Sequence, residues 1–137
     1  MAGTFQLEIA TPEQLLVREQ VSKAMIPAEN GYIGVLPDHA PLFAQLGINP
    51  LTWSGERSSR SVMMIAQGFI EIRDNCVRVL ADEAQMAPEI DLAAAEKELE
   101  QATEQLSKPT DDADTDTLLI RYRKAQAKVE TARKARA

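Results

Sequence analysis

At 137 residues with a net charge of −6, the chain is sized for one modest globular domain plus an appendage, and its acidity excludes a dedicated nucleic-acid binder, which needs clustered Lys and Arg. The lone Cys76 excludes an internal disulfide, and with His39 as the only imidazole no Cys/His zinc cluster can be assembled, so a reducing, cytoplasmic setting is expected. No stretch approaches the roughly 18 consecutive apolar residues of a membrane-spanning helix, and the first thirteen residues show no basic segment followed by an apolar run, so no leader is expected.

The chain opens with the period of a strand. Phe5, Leu7 and Ile9 alternate with polar residues, which lets one face of a sheet be buried while the other meets water. Short runs of the same kind follow at 21–26, 31–35, 48–53, 62–66, 69–73 and 77–81. Turn residues separate them: Glu29-Asn30-Gly31, Pro37-Asp38, Ser54-Gly55-Glu56 and Asp74-Asn75. The 53–62 and 73–77 connections read as hairpins. Many short strands with no intervening helix predict an antiparallel β-sandwich over residues 1–87. Alternation places one of Met63 and Met64 in the core and the other on the surface, Cys76 among core residues, and Trp53 in packing, the alternative for Trp53 being an exposed anchor for a partner.

At Pro88 the period changes. Asp91 is suited to cap a helix, because its carboxylate can accept from the open amides of a first turn. Leu92, Ala95, Leu99, Ala102 and Leu106 then recur at helical spacing until Lys108-Pro109 and an Asp-rich stretch break the run. Leu118, Tyr122, Ala125, Val129 and Ala132 form a second, matching seam. Two matched seams with a short connector predict an antiparallel helical hairpin over residues 88–137. The overall class is α+β, a sandwich followed by a two-helix arm.

Charge divides the arm. Residues 89–116 hold ten acids and two bases, whereas 117–137 hold one acid and seven bases. Acids leading the first helix and bases ending the second suit the helix dipoles, and the two helices attract each other. The seam is thin. A fully buried Leu or Val contributes roughly 1.5–3 kcal/mol, few such residues are available, and ordering backbone costs about 1–2 kcal/mol per residue. The hairpin is therefore expected to lie near balance and to exchange readily for another arrangement.

The run Gly31-Tyr32-Ile33-Gly34-Val35-Leu36-Pro37-Asp38-His39-Ala40-Pro41-Leu42 resembles the G-x-x-G-x-L-P-x-H-A-P-L signature of bacterial-type F-type ATP synthase epsilon subunits. Thr11-Pro12-Glu13, Gly68-Phe69-Ile70-Glu71, Val79-Leu80-Ala81 and Ile90-Asp91 extend the resemblance along the chain. It implies a non-catalytic rotor subunit of the central stalk. The sandwich would link the γ subunit to the polar loops of the c-ring, and the arm would either fold against the sandwich or extend along γ toward the catalytic α and β subunits and restrain ATP hydrolysis. The location implied is the cytoplasmic face of the plasma membrane, held peripherally through the complex. Tyr32 and His39 become interface candidates, and Arg121, Arg123, Lys124, Lys128, Arg133, Lys134 and Arg136 become the cations that would meet an acidic β-subunit segment.

Three positions depart from the family pattern. Gln67 stands where a second glycine is common, so the local turn is expected to differ. Tyr32 replaces a residue that is often acidic. Ala94 occupies the place of the arginine in the Ile-Asp-x-x-Arg-Ala pattern of members that bind ATP on the arm, which leaves no guanidinium fork for phosphate and implies weak or absent ATP binding. No cofactor and no metal are expected. The chain carries no Gly-x-Ser-x-Gly elbow, no Walker-type phosphate loop and no paired-histidine metal motif, so an enzyme is not expected. His39, with no acid–base partner near it in sequence, is read as a structural or interface residue rather than a proton carrier. The competing function is a generic adaptor of another complex, built from the same sandwich and coiled-coil parts.

Overall fold

Period-2 burial organises the front of the molecule. The computed structural model describes residues 3–55, 60–108 and 114–136. Eight strands come first: β1 (Phe5–Ala10), β2 (Leu15–Val21), β3 (Lys23–Ala28), β4 (Gly31–Val35), β5 (Leu42–Gln45), β6 (Ile48–Ser54), β7 (Arg60–Arg73) and β8 (Cys76–Met86). A 3-10 turn (Ala87–Glu89) leads to α1 (Leu92–Ser107) and α2 (Thr115–Arg136). In β1, Phe5, Leu7 and Ile9 are buried, and Ile65, Ile70, Val77 and Val79 join them in one core.

The strands form one sheet of order β2-β1-β8-β7-β6-β3-β4, with β5 added on β7. Its pairings are antiparallel except that of β1 with β8, which is parallel. A parallel neighbour is feasible there because the rest of the sheet, rather than a tight turn, connects the two strands. Two strands lie outside the predicted runs. β2 lacks alternation because it is an edge strand with Leu15 exposed, and the run at 21–26 is divided at Ser22, whose hydroxyl donates to the Ser54 and Gly55 carbonyls at 3.1 Å each. β5 is only four residues long, too short to show a period.

The runs predicted at 62–66 and 69–73 are one strand. β7 pairs with β6 through its first half and with β5 through its second, so it belongs to both layers of a sandwich. What permits this is a kink at Gln67-Gly68, with φ of 64° and 118°. The kink shifts the alternation, so that Met63 and Ile65 before it and Ile70 and Ile72 after it all face the core. Gln67 accepts the left-handed backbone in place of glycine; its N–H donates to the Gly47 carbonyl at 3.0 Å, while the Gly68 carbonyl accepts from Leu46 N–H at 2.9 Å. At the β7–β8 hairpin, Asp74 and Asn75 both adopt positive φ, as a two-residue turn between twisted strands requires. The connection between β6 and β7 passes through 56–59, outside the described residues, although Ser54 and Arg60 are paired.

Met63 and Met64 are both buried, which corrects the one-in, one-out reading. Alternation does point them to opposite faces, but the face carrying Met64 is covered by the arm, where it packs with Ala66, Ile90, Ala127 and Val129. Cys76 is only half-buried, at the start of β8. Trp53 is 3% exposed and donates its indole N–H to Glu19.

Asp91 caps α1, accepting from the Ala94 N–H at 3.2 Å. The first turn of α1 contains no acid, so the expected acidic lead is supplied by the cap alone; the last turn of α2 does carry Arg133, Lys134 and Arg136. Asp114 opens α2 by accepting from the amides of Asp116 and Thr117 and from the Thr117 hydroxyl, and these bonds lower its carboxyl pKa. The connector at 109–113 lies outside the described residues.

A Cβ at position 68 would lie 2.0 Å from the Leu80 carbonyl oxygen, on a backbone that disfavours L side chains. Gly68→Ala is expected to lower unfolding free energy by at least about 3 kcal/mol in a denaturant titration, the sum of a steric clash and an unfavourable φ.

Candidate functional site

The arm is not a separate body lying beside the sandwich. α1 packs on α2, and α2 in turn lies across β6 and β7. α2 therefore has two buried stripes. One is the predicted seam, Ala125, Val129 and Ala132, of which Val129 and Ala132 share a buried cluster with Ala95 of α1 and Met64 of β7. The other, Lys124, Ala127 and Thr131, recurs at spacings of three and four and shares a face with Ile120. Hydrophobic periodicity misses this second stripe because it contains a lysine and a threonine, yet Ala127 is 2% and Thr131 0% exposed.

The seven predicted cations divide into groups. Arg121 lies 3.7 Å from Glu98 and donates to the Gln105 side chain at 3.0 Å, and Arg133 meets Glu96 at 3.3 Å; both pairs join α2 to α1. Lys124 crosses to the sheet and pairs with Glu83 of β8 at 2.6 Å. Among the described residues, Arg123, Lys128, Lys134 and Arg136 form no ion pair. Lys128 lines a cleft with Glu13, Asp82, Glu83 and Glu89, an acidic surround on the sandwich side. The folded arm thus engages part of its basic surface internally and leaves part open. Surface pairs of this kind each contribute about 0.2–1 kcal/mol, so they bias the arm without locking it.

Tyr32 and His39 are not brought together with the arm cations in one site. Tyr32, on β4, donates its hydroxyl to the Pro50 carbonyl at 2.8 Å. Burial, and then the negative charge of Glu130 on α2, raise its phenol above the ordinary 10.0. His39 lies in the loop after β4, its Nδ1 2.7 Å from the Ala40 carbonyl, to which the Nδ1–H tautomer donates. Leu36 in the same loop is 64% exposed. Ala94 is an exposed residue of the first turn of α1. Among the described residues no three His, Cys, Asp or Glu side chains converge as a metal site, and no helix is long and apolar enough to cross a membrane.

The sandwich has a second outer face that the arm leaves open, and sequence reading did not single it out. Phe43 on β5, Phe69 on β7 and Leu80 on β8 are 66%, 43% and 55% exposed, with Phe69 opposite Leu80 in register. The two phenyl rings stack with centroids 5.5 Å apart. The signal in sequence is Phe69 and Leu80 falling out of phase with the core-facing Ile70 and Val79, a displacement visible only once the kink is located.

Residues 4–87 match the family model described as ATP synthase, Delta/Epsilon chain, beta-sandwich domain. The whole chain is 42% identical over 134 residues to the ATP synthase epsilon chain of Solibacter usitatus, covering 98% of this chain and 99% of that one. The chain belongs to the ATP synthase epsilon chain family. The epsilon chain of Koribacter versatilis is 38% identical over 106 residues, 77% of this chain and 74% of that one. Among solved structures, a chain of the Euglena gracilis mitochondrial ATP synthase, in its OSCP/F1/c-ring assembly, superposes with a TM-score of 0.83 at 26% identity, covering 95% of this chain and 81% of that one. A chain from the central stalk and c-ring of the Tetrahymena thermophila mitochondrial ATP synthase shares the fold, with a TM-score of 0.56 at 13% identity and 96% of each chain covered. As a member of that family the chain belongs with ATP synthase, and the generic-adaptor alternative lapses.

In this epsilon chain Tyr32 reports on the arm, because Glu130 belongs to α2. Folding favours the neutral phenol, so its contribution to stability holds below pH 10.0 and fades as pH climbs through the raised value. A phenolate absorbance titration of the protein minus that of Tyr32→Phe is expected to show a midpoint above 10.0, and Glu130→Gln is expected to bring that midpoint down.

Proposed function

We propose that this epsilon chain is a non-catalytic rotor subunit whose sandwich, residues 1–87, links the γ subunit to the c-ring, and whose arm, residues 88–137, restrains ATP hydrolysis. The observation that carries the reading is the asymmetry of the sandwich: one outer face is covered by α2, and the other presents Phe43, Phe69 and Leu80 to solvent. Stacked aromatics on an exposed sheet face are the residue types that anchor protein interfaces. We assign this face to γ. The loop from Leu36 to Pro41, with His39, then points to the c-ring end, and peripheral attachment to the cytoplasmic face of the membrane follows through the complex.

The arm's role rests on its charge and on the modest strength of its packing. Arg123, Lys134 and Arg136 remain open when the arm is folded, and Arg121, Lys124, Lys128 and Arg133 become open when it unfolds, supplying cations to an acidic segment of the catalytic subunits. Such attraction is screened beyond about 8–10 Å at physiological salt.

Two measurements test the two halves. Tagged full-length protein should co-purify γ, and Phe43→Ser with Phe69→Ser should reduce recovery at least about tenfold while leaving the melting midpoint within a few degrees; undiminished recovery rules this face out. In the assembled enzyme, replacing Arg123, Lys128 and Arg136 by Gln should raise ATP hydrolysis at low salt, with the difference shrinking as ionic strength rises; equal rates at low salt remove the inhibitory role of these cations.

A further inference from the structure

We propose that the docked arm is held on the sheet by two polar latches, Glu83–Lys124 and Arg60–Lys134, working against an internal release element, the buried hydroxyl of Thr131. The inference rests on the reading of the arm as a mobile regulator and names the side chains that set its equilibrium.

The apolar contact of α2 with the sheet is built from small side chains: Ala127 and Val129 pack in one cluster with Met64 and Ala66 of β7, and half-buried Ile120 shares the face of Ala127. Charge and hydrogen bonding complete the attachment. Near the middle of the helix, the Lys124 ammonium lies 2.6 Å from Glu83 of β8, with its side chain only 27% exposed. At the far end, the Arg60 guanidinium at the start of β7 donates to the Lys134 carbonyl at 2.9 Å. That carbonyl belongs to the last turn of α2, where backbone oxygens lack helical partners and the helix dipole favours a cation. Ten residues separate the two attachment points, about 15 Å along the helix axis. Held at both, α2 cannot pivot; with one broken, it can swing about the other.

Between the latches lies Thr131. It is 0% exposed, and its Oγ1 has no hydrogen-bond partner among the described residues. A hydroxyl confined this way loses its hydrogen bonds to water on docking and recovers them on release. Valine has the same shape without that loss, so threonine at this position favours the released arm. Glu83 acts in the opposite sense, and it does so on a side chain with a second use. Lys124 is one of the cations assigned to the acidic partner, so its pairing with Glu83 withholds it until the arm leaves the sheet.

The test is hydrogen exchange of the isolated full-length chain, read at the amides of residues 124–132 and compared with those of β7. Glu83→Gln and Arg60→Gln should each speed exchange in α2 about threefold, the weight of a partly exposed polar contact. Thr131→Val should slow it about tenfold, and β7 should be unchanged in all three. Lys124→Gln repeats the Glu83 result from the other side of the pair. If α2 exchanges faster than β7 but none of the variants moves it, or Thr131→Val moves it in the same direction as Glu83→Gln, the latch assignment is overturned while the mobile arm survives. If α2 exchanges no faster than the core of β7 in the unaltered chain, the arm opens only on global unfolding, and both readings fall.

Discussion

The close approach of Gly68 to the Leu80 carbonyl is the constraint from which the rest of the architecture follows. Only a residue without Cβ fits there, and the kink it allows lets β7 and β8 run through both layers of the sandwich. The same kink resets the inward and outward alternation, which keeps Met63, Ile65, Ile70 and Ile72 in a single core. Two outer faces result, with different chemistry. One carries Met64 and Ala66 and is completed by α2; the other carries Phe69 and Leu80 and is left open.

The arm's composition suits the docking and release proposed for it. α2 is buried on two sides, yet the residues that accomplish this are mostly alanines, together with one valine and one threonine. Small side chains let helix and sheet approach closely but remove little apolar area from water, so burial alone does not commit the arm. Its remaining attachment to the sheet is polar and peripheral, through Glu83 to Lys124 and through Arg60 to the Lys134 carbonyl. Contacts of that kind can be exchanged for equivalent contacts with another acidic surface at little net cost, as the proposed release of the arm requires.

Residues whose meaning is local were legible in the sequence. The alternation of Phe5, Leu7 and Ile9, the turn chemistry of Asp74-Asn75, the capping carboxylate of Asp91 and the two helical seams each depend on neighbours within a few positions, and each takes its expected form. The basic character of the last helix was equally plain, as was the signature from Gly31 to Leu42, since both are properties of the residues themselves.

Tertiary structure decided what depends on distant partners. Whether Met64 is surface or core turns on a helix that begins more than fifty residues later, and no pattern within β7 encodes that cover. The stripe of Lys124, Ala127 and Thr131 reads as solvated by hydropathy, yet Ala127 and Thr131 are fully buried and Lys124 is half-buried against the carboxylate that Glu83 of the sheet supplies. The parallel pairing of β1 with β8, and the division of seven cations into engaged and open, likewise arise only when remote segments meet. Sequence by itself determined most of the elements, because periodicity and turn preference act over short range; the edge strand β2, the short β5, the continuity of β7 and the faces that remain free were decided by the fold, because pairing and exposure are properties of what packs alongside.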